Sequence, residues 1–242
     1  MGLIVVLAVG LIAGIFSGIV GTGSAIMLVP VLASIYGPKA AVPIMAVASV
    51  MANLSRILAW WREVDWRAFA AYAATGAPAA FLGARTLLIL PSRAVDLAIG
   101  TFLIAMIPGR RWLASKMLRL DLWQMALAGS VIGFLTGIVV STGPISVPVF
   151  LGYGLVKGAF LATEAAGSLA IYLTKTVTFG AGGALPWDDF LKGLIAGSSL
   201  MAGAFIAKPF VLRLAPETFR YVMDAVMLAS GGTMLWNAAF AS

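Results

Sequence analysis

The chain has 242 residues, of which 62% are hydrophobic and 10% are charged, and its mean hydropathy is +1.04. This composition is typical of an integral membrane protein and excludes an ordinary soluble domain. The chain contains no Cys and no His, which excludes disulfides and removes the usual metal ligands, so we predict no metal site and no cofactor. The net charge of +7 comes from cations in short loops and at helix ends, so we expect the lipid bilayer as a partner and no nucleic acid.

Five apolar segments are predicted in the first half of the chain. The first lacks the basic start of a cleaved signal peptide, so we assign it to the mature protein. The second is about 13 residues long, too short to cross ~30 Å of hydrocarbon, and it is predicted to be re-entrant. The five segments span residues 3–21, 24–36, 40–61, 67–90 and 93–107.

The second half repeats this plan after the most basic loop of the chain, which is predicted to be cytoplasmic. Its segments span residues 122–140, 144–155, 157–179, 188–212 and 217–239. We therefore divide the chain into an N-terminal repeat (1–108), a connecting loop (109–121) and a C-terminal repeat (122–242). Together they are predicted to form one all-α, polytopic transmembrane domain.

The orientation of the two repeats follows from their segment count. Five segments per half is an odd number, so the halves are predicted to be inverted in the membrane. The positive-inside rule agrees, because the loop with Arg62 and Arg67 then lies inside and the cation-free loop over residues 180–189 lies outside. A rival count of four spans per half would give parallel repeats and would place Lys208 outside.

One apolar stretch occurs in both halves and is interrupted each time by small residues. Residues 14–30, GIFSGIVGTGSAIMLVP, return in altered form as residues 133–148, GFLTGIVVSTGPISVP. Gly and Pro disfavour continuation of a helix, so we predict that one helix ends and another begins at each interruption, hereafter a helix break. The same repeats place glycines at the four-residue spacing of closely packed helices, namely Gly14 and Gly18 in one half, and Gly133 and Gly137 in the other.

Each helix break is predicted to bind an anion, because the start of a helix offers free N–H groups and the positive end of its dipole. We expect Ser24 to cap the first restarted helix, and Thr142 or Gly143 to cap the second, with Pro144 at its first position. The predicted substrate-binding residues at the breaks are Thr22, Gly23, Ser24, Ser141, Thr142 and Gly143.

Two long helices carry matching polar stripes. Each has a hydroxyl residue, a second hydrogen-bonding residue and a cation, spaced i, i+4, i+7 on one face. The stripes, 119 residues apart, are Ser49, Asn53 and Arg56, and Ser168, Tyr172 and Lys175. We interpret them as two walls of a polar, substrate-binding cavity. The alternative is that Arg56 and Lys175 lie near helix ends, snorkel to the interface and bind nothing.

Two acidic residues, Glu164 and Asp224, lie within predicted membrane segments. Glu164 has no acidic counterpart in the first half, where Met45 stands at the equivalent position. Such an asymmetric acid is suited to ion coupling, for which both residues are candidates. The alternative is a neutral acid that is hydrogen-bonded within a packed interface.

The order of these motifs resembles the sulfite exporter TauE/SafE family, also called the toluene sulfonate uptake permease family. Each broken-helix motif is followed by a Pro and a second long helix, residues 83–85 read Gly-Ala-Arg, and the central loop is basic. The resemblance covers nearly the whole chain. It implies a membrane carrier for sulfite, organosulfonates or related sulfur-containing anions, in a bacterial inner membrane. The longer glycine run of the family is partly replaced here by the Thr and Ser residues of the two breaks.

These observations predict a secondary transporter rather than an enzyme. The anion would bind near the membrane midplane between the two broken helices and would be exposed alternately on each side. The family implies export, but an uptake permease and an anion channel are alternatives. The sequence leaves the coupling ion open between a proton and sodium, and it leaves the oligomeric state open, with a homodimer as one option.

Overall fold

The computed structural model describes residues 2–21, 23–91, 119–139 and 142–207, with scattered residues between 94 and 112 and between 228 and 236. The predicted helices 93–107 and 217–239 fall largely outside the described residues. Three predicted site residues, Thr22, Ser141 and Asp224, also lie outside them. The described part is helical and contains no strand, which confirms the all-α prediction.

The continuous described ranges hold eight α-helices, numbered here in chain order. They are α1 (Gly2–Val20), α2 (Ser24–Tyr36), α3 (Pro38–Trp60), α4 (Trp66–Ile89), α5 (Leu122–Ile138), α6 (Gly143–Gly152), α7 (Lys157–Ala181) and α8 (Trp187–Ala207). The bounds of α1 to α7 agree with the predicted segments within three residues. A short 3₁₀ turn, Trp61–Glu63, follows α3.

Helix length separates spanning candidates from the two short helices. Three described helices are long and apolar enough to cross a membrane by length and composition, over Gly2–Ile19, Lys39–Glu63 and Trp187–Ala207. Helices α2 and α6 have only 13 and 10 residues. At 1.5 Å per residue they are ~20 and ~15 Å long, short of the ~30 Å of a hydrocarbon core.

The eight helices pack into two groups. Group A contains α1, α2 and α3 from the first half of the chain and α8 from the second half. Group B contains α5, α6 and α7 from the second half and α4 from the first half. In group A, α1 packs on α2 and α8, and α3 packs on α2 and α8. In group B, α5 packs on α4, and α7 packs on α4 and α6. The main contact between the groups is α3 against α7. Because α3 and α7 carry the polar stripes, the fold brings both stripes to the junction of the groups.

Glycines allow the closest helix contacts inside each group. A Cβ atom placed on Gly14 of α1 would lie 2.3 Å from the carbonyl oxygen of Leu200 on α8. A Cβ on Gly133 of α5 would lie 2.2 Å from the carbonyl oxygen of Gly76 on α4. Backbone therefore meets backbone at both places, which confirms the close packing predicted from the glycine spacing.

Replacing Gly133 by Ala is expected to lower the free energy of unfolding by about 1–3 kcal/mol, because the added methyl group must push two backbones apart. Gly180→Ala is the matched control, since a Cβ there meets no atom within 4 Å and Ala is the better helix former. Unfolding by SDS in mixed micelles measures both variants. Equal stability of the two variants would contradict the packing account.

Candidate functional site

A polar cavity of about 30 Å³ lies at the junction of groups A and B. Both helix breaks and both polar stripes reach it. Its polar side chains and break glycines are Ser17, Gly21, Gly23, Ser24, Ser49, Asn53, Arg56, Tyr72, Thr136, Thr142, Gly143, Glu164, Ser168 and Tyr172. The cavity wall thus includes ten of the predicted site and coupling residues.

Three polar side chains of the wall, those of Ser17, Tyr72 and Thr136, were not predicted. Ser17 and Thr136 stand 119 residues apart, at equivalent positions of the two repeats. The offset of 119 residues that relates the two polar stripes therefore also relates these two positions, and it could have been used to predict them. Tyr72 of α4 has no tyrosine counterpart at this offset, so the repeat gives no signal for it.

The first break depends on glycine. Gly21 and Gly23 have φ angles of 85° and 110°, a conformation that glycine adopts without the penalty a Cβ would bring. Gly23 occupies the N-cap position of α2, and Ser24 is the first helical residue. The prediction that Ser24 caps this helix is therefore wrong, because the chain enters α2 through a positive φ angle that serine rarely adopts.

The second break has a different geometry. Thr142 occupies the N-cap position of α6, as predicted, but its hydroxyl forms a hydrogen bond with the hydroxyl of Thr136 instead of a cap. The helix begins at Gly143, so Pro144 stands at the second helical position and not at the first. Neither N-cap residue, Gly23 or Thr142, caps its helix with its own side chain. At α6 the N–H groups of Ile145 and Ser146 donate to the carbonyl oxygen of Thr142, so this start acts on an anion through its dipole.

Arg56 is buried at the junction, with 6% of its surface exposed. Its guanidinium donates to Oε2 of Glu164 at 2.9 Å, to the carbonyl oxygen of Gly21 and to Oδ1 of Asn53. It therefore binds the carbonyl end of the first break and a carboxylate of the opposite group. The alternative that Arg56 snorkels to the interface is wrong.

Lys175 is buried as well, with 1% of its surface exposed, so snorkelling is also wrong for this residue. Its Nζ donates to the carbonyl oxygens of Thr136 at 2.6 Å and Val139 at 2.8 Å, and it lies 5.5 Å from the Phe179 ring centroid. These carbonyl groups lie at the C-terminal end of α5, which is the negative end of the helix dipole. Lys175 is absent from the cavity wall within the described part of the chain, which corrects the prediction that it faces the cavity.

Glu164 joins three helices. Its Oε2 accepts from Arg56 of α3, and its Oε1 accepts from Ser146 of α6 at 3.0 Å and Ser168 of α7 at 2.8 Å. The carboxylate therefore lies beside the first turn of α6, where the positive end of the helix dipole favours negative charge. The Arg56 guanidinium and the Glu164 carboxyl group are therefore paired directly, at 2.9 Å.

The electrostatics of the cavity follow from these partners. Each break has a carbonyl end, which is negative, and an amino end, which is positive. The carbonyl ends are bound by Arg56 and Lys175, whereas the amino ends of α2 and α6 line the cavity. Among the described residues, the charged side chains on the wall are those of Arg56 and Glu164, and their formal charges cancel. The positive helix ends therefore favour an anion. No cluster of acids within the described residues is suited to hold a metal ion.

Apolar helices packed around a polar cavity, with two helices interrupted at the cavity, define a multi-pass helical membrane protein with an internal anion-compatible site. The chain belongs to the sulfite exporter TauE/SafE family, whose family model matches residues 6–234. This match confirms the resemblance inferred from the broken-helix motifs. The family consists of membrane transporters of sulfur-containing anions, and the chain is accordingly a membrane transporter. No curated protein and no solved structure matches the chain.

Proposed function

We propose that this protein is a secondary transporter that carries a small sulfur oxyanion, with sulfite as the best fit, by alternating access of the cavity at the junction of groups A and B. Export is the direction that the family description names. The observation that carries the proposal is the convergence of the starts of α2 and α6 and a buried guanidinium on one cavity.

The helix starts supply the first part of the binding energy. Backbone N–H groups near Ser24 lie at the positive end of α2, the positive end of the α6 dipole adds to the attraction for an anion, and a sulfur oxyanion offers several acceptor oxygens. Hydroxyl groups of the wall, including Ser24 and Ser49, add further donors. These groups replace the hydration that an anion loses when it enters the membrane, a loss that would otherwise be costly.

The cavity volume favours a compact anion. A volume of about 30 Å³ is two to three times the ~10–15 Å³ that one water molecule needs. An ion of four heavy atoms such as sulfite matches this space better than an arylsulfonate, whose ring has no room in this conformation. We therefore rank sulfite above organosulfonates as the substrate.

Glu164 is proposed to couple anion binding to a proton. Its carboxylate already holds the Arg56 guanidinium and neutralises it, so an incoming anion competes with Glu164 for the same charge. Protonation of Glu164 would release Arg56 to the anion and would offset the added negative charge. Among the described acidic residues, Glu164 is the one on the cavity wall, and Asp224 is a second candidate that lies outside the described part.

The moving bodies are proposed to be groups A and B rather than the two sequence halves. The close contacts of α1 with α8 and of α4 with α5 join helices of different halves backbone to backbone, so they resist sliding. The α3–α7 junction is instead polar and contains the cavity and the Arg56–Glu164 pair. The equivalent helices of the two halves are α1 and α5, α2 and α6, α3 and α7, and α4 and α8. When each helix is exchanged for its equivalent, the contacts of group A become those of group B, which supports the internal repeat. Inversion of the repeats, with re-entrant α2 and α6, would allow equivalent opening to each side.

Anion binding to purified protein tests the proposal. Calorimetry with sulfite should give saturable binding, and Arg56→Gln should weaken it by ~10-fold to 150-fold, the scale of a hydrogen bond to a charged group. Lys175→Gln is the matched control, because Lys175 is a buried cation that binds carbonyls outside the wall, and its affinity should stay near that of the wild type. Equal losses in both variants, or no loss in Arg56→Gln, would contradict this assignment of the site.

A further inference from the structure

Two buried hydrogen-bond donors on the cavity wall have no partner among the described residues, namely the Tyr72 hydroxyl and Nε of Arg56. Buried polar groups in folded proteins are almost always paired, and an unpaired one lowers stability. The two residues come from opposite groups, since Arg56 lies on α3 and Tyr72 on α4. An unpaired donor on each side of one cavity points to an acceptor that bridges them.

We infer that Tyr72 is a ligand of the transported anion and that its hydroxyl, with Nε of Arg56, clamps an oxyanion between groups A and B. The inference rests on the proposed function and adds a residue that determines specificity. Nη1 of Arg56 donates to Gly21 and Glu164 and Nη2 donates to Asn53, so Nε is the guanidinium nitrogen without a partner among the described residues.

The position of the Tyr72 ring is fixed by its surroundings. The side chain is fully buried, and its ring centroid lies 4.9 Å from that of Phe150 on α6. On α7, a Cβ added to Gly167 would lie 2.7 Å from Cδ1 of Tyr72. Neighbours from α6 and α7, all in group B, therefore hold the ring. A hydroxyl held in this way is preorganised, so it loses little conformational freedom when an anion binds.

The two donors indicate which anions the site prefers. Hydroxyl and guanidinium donors on opposite walls suit an ion with at least two separate acceptor oxygens, such as sulfite or another small oxyanion. A halide offers a single atom to both donors and cannot span them in the same way. The inferred role of Tyr72 is therefore to favour polyatomic oxyanions over chloride.

The experiment compares Tyr72→Phe with a control that removes an unpaired hydroxyl elsewhere. Thr176 of α7 has a buried hydroxyl oxygen without a partner in the described part of the chain, and Thr176 is not on the cavity wall. We therefore compare wild type, Tyr72→Phe and Thr176→Val by thermal unfolding without ligand and by calorimetry with sulfite and with chloride.

Tyr72→Phe should keep or raise the unfolding temperature of the ligand-free protein while it weakens sulfite binding by ~10-fold to 150-fold. Its sulfite affinity should also fall relative to its chloride affinity. Thr176→Val should raise or keep the unfolding temperature without changing sulfite affinity.

The inference is overturned if Tyr72→Phe binds sulfite within twofold of the wild type while Arg56→Gln loses binding, and the proposed function then stands without Tyr72. A clearly lower unfolding temperature in Tyr72→Phe also overturns it, because the hydroxyl would then serve the fold. If the wild type binds no sulfur oxyanion, the proposed function fails and the role of Tyr72 fails with it.

Discussion

Replacing Arg56 by Met is expected to lower the free energy of unfolding by about 3–5 kcal/mol, because the change leaves the Glu164 carboxylate buried without its counter-ion. The loss is a large part of the ~5–15 kcal/mol by which proteins are typically stable. The Gly21 carbonyl and the Asn53 side chain also lose a donor. SDS unfolding of the purified variant in mixed micelles measures the change.

The double variant Arg56→Met/Glu164→Met is the control for this prediction. Apolar replacement of both members of a buried ion pair is often neutral or stabilising, whereas removal of one member is not. Met is also the residue that the first half carries at the position equivalent to Glu164, where Met45 is fully buried. The double variant should recover most of the lost stability. A double variant no more stable than Arg56→Met would show that the pair is not the source of the loss.

Glu164→Gln is expected to abolish the pH dependence of net transport and to preserve exchange of anion for anion. Gln keeps an acceptor oxygen for its neighbours but cannot take up a proton at neutral pH. Exchange needs only reorientation of the loaded carrier, whereas net movement requires the step that binds or releases the coupled ion. The groups that face Glu164 are Arg56, Ser146, Ser168 and, on the same wall, Tyr72. Arginine stays charged in proteins, so Arg56 cannot replace Glu164 in this role.

The measurement is uptake of labelled sulfite into proteoliposomes across a pH series, under net-flux and exchange conditions. Glu63→Gln is the control, since Glu63 is an exposed acid in the turn after α3. It should retain the pH dependence of the wild type. A Glu164→Gln variant with wild-type pH dependence would exclude Glu164 as the coupling residue and would leave Asp224 or uncoupled transport.

Much of the fold was predictable because its determinants are local in sequence. Glycine and proline interrupt the apolar runs where helices end, so the bounds of α2 agree with the prediction at both ends. The glycines spaced four residues apart also mark real helix contacts. The exchange of α4 and α8 between the groups could not be predicted, because periodicity identifies the buried face of a helix without identifying its neighbour.

The candidate site, like the fold, could be predicted only in part. Repetition of two polar stripes correctly indicated that α3 and α7 face a common polar region. Spacing could not distinguish Arg56 from Lys175, because the difference lies in which carbonyls each cation reaches after the helices pack. Ser24 was assigned as a cap on residue type alone, whereas the backbone angle at Gly23 decides which residue takes that position. Tyr72 has no counterpart in the other repeat, and the signal for it is a buried hydroxyl without a partner in the described part of the chain.

Sulfite counterflow tests the central claim most directly. Proteoliposomes loaded with unlabelled sulfite are diluted into a trace of labelled sulfite, and internal label is followed over time. A carrier whose binding site includes Arg56 should accumulate label transiently above equilibrium, and Arg56→Gln should remove this accumulation. Lys39→Gln is the control and should keep the accumulation, because Lys39 is exposed at the start of α3 and absent from the cavity wall. Label that only equilibrates, as through a channel, or accumulation equal in wild type and Arg56→Gln would contradict the account.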